Sequence, residues 1–368
     1  MKTARLIIAA SEHCADLFYA TRFFAPDDFL YLEKNGRKMA LLHDLEIDRA
    51  RAEMKVDAIF SYTELANGLA PSKRSLPSVA AHFLKKQRVR SVLVPDYFPL
   101  GLSRELESQG IRTIVKPGPF FEERESKSAE EIRCLRIAHK ITEAGLNRGF
   151  EVLRDAKVGG KFLKWNGKTL TSEILRAEIE SAILRAGGTP TNAIVAGGIQ
   201  ACDPHERGHG PLKPDSLIIL DVFPRDAKTG YFGDMTRTVV RGKASEAQHR
   251  LWNTVLKAQK DSLKAMAPGV DGKRLQDQIR TFFTEQGYPT HLENGRNVGF
   301  FHGLGHGLGL EIHESPRLGA TKFKPGQVIT VEPGLYYPQI GGVRHEDVVA
   351  ITETGSLQLS RFPKPLEL

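Results

Sequence analysis

Apolar positions in the first third of the chain fall into short runs separated by stretches of helical spacing. Asp28-Phe29-Leu30-Tyr31-Leu32 and Lys38-Met39-Ala40-Leu41-Leu42 flank Asn35-Gly36, a pair suited to the positive φ of a tight hairpin turn. Val92-Leu93-Val94 and the run from Ile111 to Val115 read as short buried strands, and residues 78–88 and 102–109 between them have helical spacing. Pro117-Gly118-Pro119 then interrupts the pattern. Ser128, with Glu131 three residues on, is a capping box, and Ile132, Leu135, Ala138 and Ile141 continue at helical spacing. The pattern predicts two domains, 1–125 with α/β character and 126–368 opening on a long helix.

The second domain alternates helix and strand pair twice. A helix is expected from Thr171 to Ala186, stopped by Gly187-Gly188. Strands follow at Ser216 to Phe223 and Tyr231 to Arg241, joined by a polar turn that holds Lys228-Thr229-Gly230. Helices fit 246–266 and 271–286, and strands fit Gln327 to Glu332 and Gly342 to Thr352. Sequence similarity between the two halves is too weak to prove a duplication.

Four carboxylates break these apolar patterns. Leu217-Ile218-Ile219-Leu220 runs into Asp221, Val328-Ile329-Thr330-Val331 runs into Glu332, Asp234 opens Met235-Thr236-Arg237-Thr238-Val239-Val240, and Glu346 lies inside Gly342 to Val349. An isolated buried carboxylate costs several kcal/mol or takes up a proton. Any one of these acids alone reads best as a turn or cap residue. Four together call for a concentrated positive charge, and two divalent ions would balance them. Alternation along the strand puts Arg344 and Glu346 on one face and His345 and Asp347 on the other, which makes Asp347 the weaker ligand candidate. The segment Phe301 to Glu314 adds His302, His306 and His313 among four glycines, a composition that opposes a helix and lets backbone approach a ligand closely. An oxygen-rich set with one imidazole suits Mn²⁺, Fe²⁺, Co²⁺ or Zn²⁺.

Composition narrows the setting. The chain has 368 residues, 40% hydrophobic and 26% charged, a balance that supports sizeable cores. The net charge of +8 is scattered, with Lys85-Lys86, Arg88 and Arg90 as its densest cluster, and reads as a solvated face without a nucleic-acid or membrane partner. Cys14, Cys134 and Cys202 form no CxxC and are odd in number, as expected in a reducing compartment. The apolar run Leu6 to Ala10 is short for a signal peptide, and no run nears the ~18 apolar residues of a membrane span, so a cytoplasmic protein is expected.

The segment Gly305-His306-Gly307-Leu308-Gly309-Leu310-Glu311-Ile312-His313-Glu314, the acid-bearing strands and the Val331-Glu332-Pro333-Gly334 turn resemble the pita-bread metallopeptidases, the group of methionine aminopeptidase, aminopeptidase P and prolidase. The resemblance covers the second domain. The preceding α/β domain, His302 four residues before His306, and Arg344-x-Glu346 resemble the proline-directed branch. The resemblance implies an α/β N-terminal domain followed by an α+β pita-bread catalytic domain, and an exopeptidase for Xaa-Pro bonds of the aminopeptidase P or prolidase type. It implies two metal ions, Mn²⁺ foremost, with Asp221 on one, Asp234 and Glu346 bridging, and His306 and Glu332 on the other. A bridging hydroxide would attack the peptide carbonyl, with Glu332 shuttling the proton and His205 and His313 near the substrate. His302 would line the proline pocket, and Arg344 would brace the metal shell or meet a substrate carboxylate. A homodimer is implied as well. Three features depart from the family pattern: a long turn between Asp221 and Asp234 containing Arg225 and Asp226, His345 in an apolar position, and an extra loop at Lys161 to Lys168. His209 competes with His205 for the upstream position. A metal-free relative cleaving another C–N bond and a non-catalytic binding protein are the competing readings, and both are disfavoured by the complete ligand set.

Overall fold

The structure, a computed structural model, describes residues 4–318 and 322–368. The chain separates into two compact units, Met1–Glu122 and Glu123–Leu368.

The first unit is built on a six-stranded mixed sheet. Its strands lie in the order Ala58–Ser61, Arg37–Leu42, Phe29–Lys34, Ala4–Ala9, Ser91–Pro95 and Arg112–Lys116. The expected hairpin is its centre: Lys34 faces Arg37, and Asn35 and Gly36 take φ of 53° and 80°. The helices expected at 78–88 and 102–109 run from Leu76–Lys86 and Leu100–Ser108. The first starts earlier because Pro77 lies in its opening turn, where a missing N–H costs nothing. One face of the sheet buries Leu6, Leu30 and Val92, and the other buries Ile7, Tyr31 and Leu42.

The second unit opens on the 27-residue helix Ala129–Asp155. Ser128 Oγ accepts the Glu131 N–H while the Glu131 carboxylate accepts the Ser128 N–H at 2.9 Å, so the capping box is complete. Helix Ser172–Arg185 packs on this helix. Together the two helices bury Ile141, Phe150, Leu175 and Ile179 against strands Ile194–Gly197, Leu217–Val222 and Met235–Val240. A second helix pair, Glu246–Ala265 and Gly272–Glu285, covers Val328–Val331 and its neighbours through Leu251, Val255, Ile279 and Phe283. The doubled helix-plus-strand-pair plan is thus present as two separate cores. Among the described residues, no helix is long and apolar enough to cross a membrane.

Two expected strands differ. The segment Tyr231 to Arg241 becomes regular only at Met235, because the Phe232 and Gly233 N–H groups bond to Gly309 O and Pro224 O in place of a ladder. The segment Gly342 to Thr352 is two strands, Gly341–Arg344 and Asp347–Ile351. The first pairs with Gly334–Tyr337 and the second with Val328–Val331. His345 and Glu346 occupy the crossing between partners, where the Glu346 N–H bonds to Thr236 O. The long Asp221–Asp234 turn is ordered: Arg225 and Asp226 pair with Thr189 and Gly188, and Asp226 accepts the Thr229 N–H at 3.1 Å. Lys161 to Lys168 forms a small hairpin, Lys164–Trp165 with Lys168–Thr169.

Candidate metal centre

Asp221, Asp234, His306, Glu332 and Glu346 all line one cavity of ≈690 Å³, with His205, His302, His313 and Arg344 on its walls. Each acid reaches it from the end or the break of a strand, where the side chain escapes the packed apolar face. Asp221 lies near the end of Leu217–Val222, Asp234 directly before Met235–Val240, and Glu332 directly after Val328–Val331. Glu346 projects from the crossing between strands, and its Oε2 accepts the Thr236 hydroxyl at 2.7 Å. His306 belongs to the two-residue strand His306–Gly307, held between Glu314–Arg317 and Val328–Val331.

The glycines around His306 serve close approach within the protein. A Cβ on Gly305 would stand 2.0 Å from Thr330 O, and one on Gly309 would stand 2.3 Å from the Glu314 carboxylate. That carboxylate is buried and accepts Lys127 Nζ at 2.6 Å and an Arg124 N–H at 2.7 Å. The expectation that these glycines face a metal or substrate is therefore corrected for Gly309, which lets the histidine loop lie against its own neighbours, whereas Gly305 both packs on Thr330 and lines the cavity.

Protonation states follow from the contacts. His306 Nδ1 lies 3.1 Å from Gly307 O, an acceptor only, so Nδ1 carries the proton and Nε2 presents a lone pair. Burial pushes this imidazole below its ordinary pKa and keeps it neutral. Its Nε2 lies 3.3 Å from Glu332 Oε1 and 3.7 Å from Asp234 Oδ2. Acceptors therefore point at one another. Burial, reinforced by neighbouring carboxylates, pushes Asp234 and Glu346 well above the carboxylate range, and burial pushes Glu332 up to about 7. One oxygen each of Asp221 and Glu346 is buried with no hydrogen-bond partner among the described residues. Asp234, His306 and Glu346 bring ligand atoms within 4.8 Å of one another. Unpartnered oxygens, an imidazole lone pair and mutual repulsion among carboxylates are the state expected of a cation site, and the donor chemistry fits divalent ions.

Arg344 braces this arrangement. It is 3% exposed and donates to Asp221 Oδ2 at 2.6 Å, Tyr336 Oη at 3.0 Å and Thr236 Oγ1 at 3.3 Å. Four of its five N–H groups are engaged within the protein, counting a further bond to Pro204 O at 3.4 Å, which supports bracing. Tyr336 passes the bond on to His302 Nε2 at 2.8 Å, and His302 Nδ1 donates to Gly303 O at 2.7 Å. Burial, with Arg344 nearby, pushes His302 down to about 3, so it stays neutral. His313 stacks edge-on to His306 with ring centroids 4.4 Å apart, and burial pushes its pKa down. His205 lies on the cavity wall, whereas His209 lies in a separate pocket beside Gln200. Asp347 is turned away: it accepts Arg237 at 2.8 Å and Lys364 at 2.5 Å. His345 packs against Trp252 on that same far side.

The model of metallopeptidase family M24 matches residues 133–353. The chain belongs to that family. This M24 metallopeptidase is 30% identical to an uncharacterised peptidase of Staphylococcus saprophyticus over 95% of its own length and 93% of the relative's. It is 29% identical to the Xaa-Pro dipeptidase of Pyrococcus horikoshii, over 76% of its length and 75% of that chain. The prolidase structure from Pyrococcus horikoshii superposes with a TM-score of 0.80 at 25% identity, covering 99% of this chain and 95% of that one. The pita-bread catalytic unit preceded by an α/β unit is the architecture of these relatives, and divalent-metal dependence is a property of the family.

Three residues at or directly behind the M24 site were not anticipated. Tyr336 looked like any core aromatic. Arg237 is an arginine within an apolar strand, the same anomaly that marked the acids. Arg317 lies on the cavity wall, and its side chain makes no hydrogen bond or ion pair with a described residue.

Proposed function

We propose that this protein is a two-metal exopeptidase that hydrolyses Xaa-Pro bonds, with dipeptides as its preferred substrates. The observation that carries the metal reading is the set of opposed acceptors: Asp221, Asp234, Glu332 and Glu346 around the His306 lone pair. Two divalent ions, with manganese first in line, would offset four carboxylates that Arg344 alone does not neutralise. Asp234 and Glu346 would be shared between the ions, Asp221 would serve one, and His306 with Glu332 the other. When bound, the ions supply Lewis acidity and activation of water for hydrolysis. A homodimer and a cytoplasmic location belong to the same reading, carried by the family resemblance.

The residues of the chain would supply the rest. Glu332 holds and passes the proton at its carboxylate oxygens. His313 and His205, on the cavity wall, donate to the oxygen of the scissile carbonyl. Phe301, Ile194 and the neutral His302 ring offer a mostly apolar wall for proline. Among the described residues, Arg317 is the cation on the cavity wall whose side chain is uncommitted, which favours a substrate whose carboxylate follows directly after proline.

The test starts from metal-free protein reloaded with Mn²⁺, Co²⁺ or Zn²⁺ and offered Xaa-Pro, Xaa-Pro-Xaa and Met-Ala peptides. Xaa-Pro should be cleaved fastest, Glu332→Ala should abolish turnover, and Arg317→Leu should raise KM for the dipeptide about tenfold while sparing the tripeptide. Two bound metals with no cleavage of any peptide would sink the peptidase specificity proposed here. Equal KM effects on both peptides would remove Arg317 from substrate recognition.

A further inference from the structure

Behind the Glu346 backbone lies a buried charge cluster that the metal site does not use. Arg237 is fully buried, and each of its five N–H groups has an acceptor. Nη1 donates to Thr236 O at 2.9 Å and Glu346 O at 2.6 Å. Nη2 donates to Asp347 Oδ1 at 2.8 Å and Phe362 O at 3.0 Å, and Nε donates to Pro363 O at 3.1 Å. Asp347, also fully buried, accepts two further donors: Gln259 Nε2 at 3.2 Å and Lys364 Nζ at 2.5 Å.

Glu346 needs this support. It sits in the crossing between two strands, so no ladder holds its peptide. Its N–H goes to Thr236 O and its carbonyl to Arg237, and its carboxylate takes the Thr236 hydroxyl. The position of its carboxylate is thus set by residues 236 and 237, and Arg237 is set in turn by Asp347 and by the carbonyls of 362 and 363. The segment is itself tied to the same strand, since the Val240 N–H bonds to Leu366 O at 2.6 Å and the Leu368 N–H to Val240 O at 3.0 Å. Lys364 lies outside the span that matches the family model, 133–353. With Arg237 and Lys364 against Asp347, the cluster carries a net single positive charge on the far side of a site crowded with carboxylates.

We infer that Lys364, acting through Asp347 and Arg237, is a positioning residue that holds the Glu346 carboxylate in place for the metal ions. The inference rests on Glu346 being a ligand, as proposed above. Lys364 is the member to perturb, because its side chain is 19% exposed and the other two are in the core.

The experiment titrates Mn²⁺ calorimetrically into the metal-free wild type, Lys364→Met and Lys364→Arg, and records the thermal midpoint of each metal-free protein. Losing a group bonded directly to a ligand weakens metal affinity about 10–100-fold, and because Lys364 acts through Asp347 and Arg237 the low end, about tenfold, is expected. Lys364→Met should show that loss, and Lys364→Arg should return affinity to within about threefold of wild type. A residue with only a structural role would lower the midpoint and leave the affinity of the folded protein unchanged. Mn²⁺ affinity of Lys364→Met within about threefold of wild type, or a loss that Lys364→Arg does not repair, overturns the inference and leaves the metal site standing. A wild type that binds no divalent ion overturns both. If metal-free Lys364→Met does not fold, Lys364→Thr, whose hydroxyl is too short to reach Asp347 at this partly exposed position, is held to the same criterion.

Discussion

His345→Leu should make this protein more stable. His345 is fully buried, yet neither ring nitrogen has a hydrogen-bond partner among the described residues. Its ring stands edge-on to Trp252 with centroids 4.8 Å apart, and burial, helped by Arg237 and Lys364, pushes its pKa well down. A neutral imidazole is therefore buried with one donor and one acceptor unmet, and a buried unsatisfied group costs about 1–3 kcal/mol. Leucine removes that cost. It also loses the ring contact with Trp252, about 0.5–1.5 kcal/mol, and incurs some repacking, which for swaps of similar volume stays under about 1.5 kcal/mol. The balance favours leucine by about 1 kcal/mol, or about 2–4 °C in the midpoint of a unit this size. Urea titration and scanning calorimetry of the metal-free protein measure it directly. Turnover should stay near wild type, since His345 and Glu346 point to opposite sides of the chain. A loss of more than about 1 kcal/mol would refute the reasoning, because it would mean that the ring nitrogens are engaged and stabilising.

Two further outcomes follow from buried contacts. Gly309→Ala places a Cβ 2.3 Å from the Glu314 carboxylate, which Lys127 and Arg124 pin in place, so the loop must shift. Overpacking of this kind costs about 1–3 kcal/mol, and a loss of kcat accompanying a lowered urea midpoint is expected; wild-type values of both would show that the loop yields freely. His139 is fully buried, with Nδ1 on Leu135 O, and burial lowers its pKa. Below pH ~6.5 the unfolded chain gains a proton at this site that the folded chain refuses, so stability is lost as pH falls, by up to about 1.4 kcal/mol per unit. His139→Leu should show a shallower loss than wild type between about pH 6.5 and 5 in urea midpoints, and parallel curves would assign the acid sensitivity elsewhere.

What could be read from the chain, and what could not, divides along a physical line. A carboxylate at the end of an apolar run violates the pattern around it, so Asp221, Asp234, Glu332 and Glu346 were visible without a fold. The alternation argument that set Glu346 toward the site and Asp347 away from it also holds, although the strand it assumed is broken. The break spans two residues, His345 and Glu346, and an even number leaves the facing unchanged. The hairpin at Asn35-Gly36 and the capping box at Ser128 were legible for the same reason: each is decided by residues within four positions of one another. The supports of the site are different in kind. Arg237 meets Asp347 across 110 positions, Arg344 meets Asp221 across 123, and Arg237 meets Phe362 across 125. No local pattern distinguishes such an arginine from a surface one, or Tyr336 from a core aromatic. The rule that exposed the acids nevertheless applies to Arg237, a charge between Thr236 and Thr238 in a strand buried at every position. Four buried acids demand compensating cations, and a buried arginine demands anions or carbonyls. The acids lead to metal ions and to Arg344, and the arginine leads to Asp347 and from there to Lys364. A search for charges in apolar strands that admits both signs would thus have found both sides of the Glu346 peptide, the side that faces the cavity and the side bound by Arg237.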